Sequence, residues 1–196
     1  MANFGPSTTG AQVVGHFKDR VMGETILITG PSAGGIGAET AMSFAAGSPA
    51  CILLAGRSLP KIQIVIDHIS GAYPDVETRF ISLDLSSQDA IREAATTING
   101  RFQTIDSLIN NAAIMASPFA KTADGIESQF GTNYIGHFLL TKLIMERLVA
   151  GQGARIINVS NPGAVVQQMR HSTDAWDQNI TPQHMVGPKQ QTFSLL

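Results

Sequence analysis

One cysteine, Cys51, one tryptophan and two tyrosines, Tyr73 and Tyr134, are all that this 196-residue chain has of those three residue types. A lone cysteine has no partner for an intramolecular disulfide. The first twenty residues contain no apolar run of the kind a secretory leader carries. Together these two features lead us to expect a reducing, cytoplasmic setting. Basic clusters are missing as well. Thirteen lysines and arginines are scattered against fifteen acidic residues, for a net charge of −2. No basic stripe is formed, so nucleic acid is not an expected partner. The longest apolar stretch, 135–149, is broken by His137, Lys142, Glu146 and Arg147, so no membrane span is expected.

What the chain does have is apolar substance: 43% hydrophobic against 14% charged residues, a balance suited to one domain with a buried sheet. We divide it into a polar lead-in over 1–22, with Val13, Val14 and Phe17 in a short helix, a domain over 23–160, and an irregular tail over 161–196. Within the domain, Thr25–Thr29 reads as a buried strand followed by a helix from Gly37. A second apolar run, 50–55, leads to a helix capped by Ser58 and ended by Gly71, with Ile62, Val65, Ile66 and Ile69 at helical spacing. A third strand over 78–83 precedes a helix opened by Ser86 and Ser87, whose Ile91, Ala94, Ala95 and Ile98 share one face. A fourth strand follows over 105–109. Asp124 and Glu127 have capping-box spacing at the head of a long helix that Gly151 and Gly153 terminate, and 155–159 is a fifth strand. Regular alternation with continuous apolar strands predicts an α/β, Rossmann-like, doubly wound parallel sheet of about five strands. No such periodicity continues past Asn161.

The glycine cluster in "TILITGPSAGGIGAETA", 25–41, falls where the first strand turns into the first helix of this series. In such a turn one glycine permits the sharp bend, a second lets backbone approach a pyrophosphate, and a third lets the helix pack closely. Gly30, Gly35 and Gly37 stand at those three places. The helix start then offers free N–H groups and a positive dipole end to phosphate. Twenty residues beyond Gly37, Arg57 ends the second strand where an acidic residue would favour the 2′-hydroxyl of NAD. Arginine there favours the 2′-phosphate of NADP, so NADP(H) is the expected cofactor.

Six segments, "TGPSAGGIG" (29–37), "AGR" (55–57), "LDL" (83–85), "INNAAIM" (109–115), "FGTNYIGHFLLT" (130–141) and "RIINVS" (155–160), occur in one order and spacing. In this they resemble the short-chain dehydrogenase/reductase family, and most closely its retinol-dehydrogenase-like branch as found in filamentous fungi. The resemblance implies cofactor contacts from Gly30, Ser32, Gly35, Ile36, Gly37, Arg57, Asp84, Leu85, Asn111, Ala112 and Ala113. In it Asp84 meets the adenine ring, and Ala113 replaces a glycine. The turn holds four residues between Gly30 and Gly35 where the family commonly has three. Asn133 matches the family's helix asparagine, which helps hold a proton-relay water. Ser160 neighbours the catalytic serine position, here Asn161. His137 is expected to be a packed helix histidine rather than a base.

The family's reaction passes a proton through a tyrosine assisted by a lysine four residues on, and no Tyr-x-x-x-Lys occurs in these 196 residues. The implied activity is NADP-dependent hydride transfer between nicotinamide and a small carbonyl or alcohol substrate, in the setting of fungal secondary metabolism. Two alternatives remain open. One is an inactive nucleotide-binding or partner-binding remnant, pairing as a homo-oligomer or with a full-length reductase through the 124–150 helix. The other is the product of a truncated reading frame. The strand "RIINV" is expected to form an apolar sheet edge.

Overall fold

Uninterrupted β-branched and aliphatic residues in "TILIT", "CILLAG" and "SLIN" suit strands buried on both faces, and the computed structural model, which describes residues 4–151 and 153–160, places them at the centre of a sheet. Strands β1 (Thr25–Thr29), β2 (Cys51–Gly56), β3 (Glu77–Ser82), β4 (Ser107–Asn110) and β5 (Arg155–Asn158) pair in the order β3-β2-β1-β4-β5. Every pairing is parallel. The expected doubly wound α/β sheet is therefore present, with strand edges within two residues of the predicted ones. The tail over 161–196 lies outside the described residues.

Side-chain alternation along each strand builds two cores. Leu27, Leu53 and Leu108 face one side, where Ile91, Ala94, Ala95 and Ile98 of α4 (Gln88–Arg101) and Leu140 and Ile144 of the later helices cover them. Ile26, Ile28, Ile52, Leu54 and Ile109 face the other. There they meet α2 (Ile36–Ala45) through Ala38, Ala41 and Ala45, and α3 (Leu59–Ala72) through Ile62, Val65 and Ile69. The lead-in contributes helix α1 (Gly10–His16), capped by Thr9, which buries Val14 in this second core and leaves Phe17 exposed. Cys51 is buried at the start of β2. Desolvation, with the Glu77 charge, outweighs Arg79 and pushes its thiol up to about 12.

Three local expectations are corrected. Ser58 occupies the N-cap position of α3 but makes no side-chain cap bond; Pro60, in the helix's first turn, supplies the pre-set φ instead. Gly71 lies inside α3, which ends at Ala72 with Tyr73 as its C-cap. The long helix over 124–150 is a series: a short turn α5 (Ser128–Phe130), a π-helical stretch (Gly131–Gly136), α6 (His137–Leu143) and α7 (Met145–Ala150). Its head is Glu127, whose carboxylate accepts the N–H groups of Gln129 at 2.9 Å and Phe130 at 2.7 Å. Asp124 instead turns away and accepts the Gln88 N–H of α4 at 2.9 Å. The chain breaks between α6 and α7 at Ile144, where φ is −103° and ψ 9°. Among the described residues, no helix is long and apolar enough to cross a membrane.

Candidate functional site at the carboxyl ends of the strands

The sheet reverses its winding between β1 and β4, and the ends of β1, β2 and β4 open together at that point. In an open parallel sheet this is where ligands sit. Gly30 follows Thr29 with φ +67°, and its N–H donates to the Ala55 carbonyl at 2.8 Å, tying the turn to β2. A Cβ on Gly30 would lie 2.8 Å from the Cα of Ala112. At Gly37 a Cβ would lie 2.4 Å from Nδ2 of Asn111. The helix start is thus drawn against the segment after β4, in keeping with the close-packing role read for Gly37. Gly35 is the N-cap of α2, where Ala38 makes the first N–H bond back to the Gly35 carbonyl at 3.1 Å. The amides of Ile36 and Gly37 precede that bond. Ser32 is half-buried, and its carbonyl accepts the Gly35 N–H at 3.1 Å.

The segment 111–114 is held from both sides. Oγ1 of Thr29 accepts the N–H groups of Asn111 at 2.9 Å and Ala112 at 3.0 Å. Nδ2 of Asn111 donates to the carbonyls of Thr29 at 2.8 Å and Gly30 at 3.3 Å. From the π-helical stretch, Asn133 grips Ile114: its Oδ1 accepts the Ile114 N–H at 2.9 Å and its Nδ2 donates to the Ile114 carbonyl at 2.8 Å. One N–H and one oxygen lone pair of its side chain are therefore committed to backbone. His137, buried, lies between the two anchors, with Nε2 2.9 Å from Thr29 Oγ1 and Nδ1 3.0 Å from the Asn133 carbonyl. Burial lowers its pKa below the ordinary 6.5, against the pull of the Asn133 carbonyl. The expectation of a packed rather than a basic histidine agrees with this environment.

Arg57 stands exposed immediately after β2, two residues beyond the Ala55 carbonyl that anchors the glycine turn. Asp84 is half-buried after β3, and its Oδ1 accepts both the N–H of Ser86 at 2.9 Å and its hydroxyl at 2.6 Å. Leu85 is buried, and a Cβ on Gly136 would lie 2.5 Å from the Leu85 carbonyl, so the π-helical stretch rides directly on this segment. Ala113 is exposed and Ala112 half-buried. Ser160 is exposed just beyond β5, and Asn161 lies outside the described residues. Neither tyrosine joins the site through a hydrogen bond: Tyr73 closes α3 and packs on the second core, while Tyr134 is exposed and stacks on Phe130 at 5.3 Å. Among the described residues, no group of acidic, histidine and cysteine side chains could hold a metal ion.

Three participants were not among the predicted site residues. Thr29 ends the first strand and opens the segment "TGPSAGGIG", and a hydroxyl at the last position of a buried strand is a signal for work beyond packing. Gly34, with φ +78°, accommodates the extra residue of the turn. His137 gains its bridging place only through the fold, because its partners are 108 and 4 residues away.

The short chain dehydrogenase family pattern matches residues 24–173. Mouse retinol dehydrogenase 13 is 40% identical over 144 residues, covering 74% of this chain and 42% of that protein. Oxidoreductase fscI of Fusarium equiseti is 33% identical over 172 residues, covering 85% of this chain and 67% of that one. The chain thus spans about two fifths of the retinol dehydrogenase and two thirds of the fungal oxidoreductase. A solved structure from Escherichia coli CFT073, complexed with NADPH, superposes with a TM-score of 0.66 at 21% identity, over 77% of this chain and 64% of that one. With its glycine turn at the strand switch point and a family match over most of its length, the chain belongs to the short chain dehydrogenase family.

Proposed function

We propose that this chain binds NADP(H) across the carboxyl ends of β1, β2 and β4, as the dinucleotide-holding part of an oxidoreductase acting on a small carbonyl or alcohol. The observation that carries this reading is the start of α2 at the switch point. Its glycine turn leaves Gly34 with open space where a Cβ would stand, and the amides of Ile36 and Gly37 precede the helix's own bonding. That arrangement fits a pyrophosphate. Arg57 would pair with the 2′-phosphate and favour NADP(H) over NAD(H), Asp84 and Leu85 would border the adenine, and Asn111, Ala112 and Ala113 would floor the adjoining ribose. Asn133 would keep that floor in place through Ile114. When bound, the nicotinamide gives or takes the hydride, and the protein's task is to hold and orient it.

Turnover further needs a proton donor at the substrate oxygen, and these 196 residues contain no Tyr-x-x-x-Lys. The exposed Phe130, Tyr134 and Phe138 of the 124–150 segment support a second reading, a nucleotide-binding partner that pairs with a complete reductase through that segment. A cytoplasmic setting and a role in fungal secondary metabolism belong to the same proposal, and the 33% identity to an oxidoreductase of Fusarium equiseti supports its oxidoreductase part.

The test is titration of the purified chain with NADPH and with NADH, followed by nicotinamide fluorescence, then addition of aldehydes and ketones to the same sample. Binding of NADPH at least tenfold tighter than NADH supports the site. Oxidation on adding carbonyl supports the enzyme reading, and binding without oxidation supports the partner reading. Absence of NADPH binding overturns both.

A further inference from the structure

His137 is buried and lies within hydrogen-bond distance of both anchors of the 111–114 segment, Thr29 and Asn133. Its chemistry there is determined by its neighbours. The Asn133 carbonyl, 3.0 Å away, can only accept, so Nδ1 carries the hydrogen. In a neutral ring Nε2 is then an acceptor, and the hydrogen between it and Thr29 Oγ1 at 2.9 Å belongs to the hydroxyl. That direction leaves both lone pairs of Oγ1 for the amides of Asn111 and Ala112. A hydroxyl whose hydrogen is spent on Nε2 and whose lone pairs are spent on two amides is fully used. The other hydroxyl acceptor in reach, the Ile109 carbonyl at 3.4 Å, is distinctly farther. A protonated imidazole would present a third donor to an oxygen with two lone pairs, and burial already opposes that charge.

We propose that His137 is a positioning residue of the dinucleotide site: as an Nδ1-protonated neutral imidazole it takes the Thr29 hydroxyl hydrogen and so orients the oxygen that holds Asn111 and Ala112 against the glycine turn. The proposal rests on the NADP(H) reading for its functional consequence, while its structural content concerns the apo protein. Through its other nitrogen the same ring holds the carbonyl of Asn133, whose side chain secures Ile114. The two grips on the floor of the site thereby share one support.

Two conservative variants separate the contacts. A glutamine can place an acceptor near the Nε2 position, and an asparagine can place a donor near the Nδ1 position. In the apo chain, imidazole ¹⁵N spectra should show a hydrogen on Nδ1 and none on Nε2. Amide hydrogen exchange at Asn111 and Ala112 should quicken in H137L and H137N and stay slow in H137Q. NADPH binding should weaken about tenfold in H137L and H137N, the loss of roughly one oriented hydrogen bond, and return to within about threefold in H137Q. An Nε2-protonated ring, or protection that survives in H137N but not in H137Q, overturns the proposal. If H137L does not fold, the tautomer and the comparison of H137Q with H137N still decide. If the wild-type chain does not bind NADPH, the dinucleotide reading fails by itself, because tautomer and exchange are measured without cofactor.

Discussion

Arg57 and His137 show how differently two residues of one site depend on the fold. Arg57 is exposed immediately after β2. Its proposed contribution is confined to ligands bearing a 2′-phosphate. R57A should weaken NADPH binding about tenfold to a hundredfold and leave NADH binding within about twofold, as titration of both nucleotides would show. Equal losses for the two would contradict a 2′-phosphate contact. His137 is buried and neutral, and its lowered pKa makes stability depend on pH. The unfolded chain binds a proton on this residue near the ordinary 6.5, and the folded chain binds it only at lower pH. Between those points the unfolded state holds more protons, so stability rises with pH and is lost as pH falls through the folded value. The wild-type Tm should therefore drop relative to that of H137Q as pH goes from about 7 to about 5, and the two should run parallel above about 7. The close approaches at Gly30 and Gly37 are legible in the sequence because they follow from local chain direction. The roles of Thr29 and His137 are not, since each acquires its role from a partner about a hundred residues distant.

At the scale of elements, strands and early helices follow from their own residues, whereas the segment 124–150 does not. Asp124 and Glu127 have the spacing of a capping pair, yet they cap different helices. Glu127 serves its own turn, and Asp124 reaches the first amide of α4. Spacing cannot reveal this, because the competing donor, the unpaired N–H at the start of α4, belongs to a segment 36 residues earlier. The wider i→i+5 winding of Gly131–Gly136 is equally hidden. Its reason is the floor it rides on: Gly136 approaches the Leu85 carbonyl where a Cβ would stand 2.5 Å away. Such π-turns recur where a helix must fit a functional site. The cross-element cap is testable. D124A should destabilise the chain by about 1 kcal/mol in urea unfolding, and D124N, which keeps an acceptor but not the charge at the helix start, should lose about half of that. Equal stability of D124A and wild type would mean that solvent satisfies the Gln88 amide as well as the carboxylate does.

The whole molecule buries a sheet on both faces but leaves apolar surface on its outer helix and at one sheet edge. Phe130, Tyr134 and Phe138 recur every four residues along the segment from α5 to α6, and all three are exposed, the last two by about 60%. Ile156 and Val159 are exposed along and just after β5, the edge strand of the described sheet. The apolar edge expected of "RIINV" is thus seen among the described residues. Aromatic side chains cost little conformational entropy to order and bury large areas, so a row of them on one helix face is a favourable centre for association. A face that meets its own copy about a two-fold axis needs only one such row, since each ring can pack beside its neighbour's symmetry mate. Self-pairing through this row would make sedimentation velocity runs concentration-dependent. Replacing a ring at the centre of such a patch typically removes about 2 kcal/mol, so Y134E should weaken the self-association about thirtyfold. V159E, at the strand edge, separates the two surfaces: if pairing runs through the helix row, it leaves association within about threefold of wild type, and if the chain pairs edge to edge, the order of the two effects reverses.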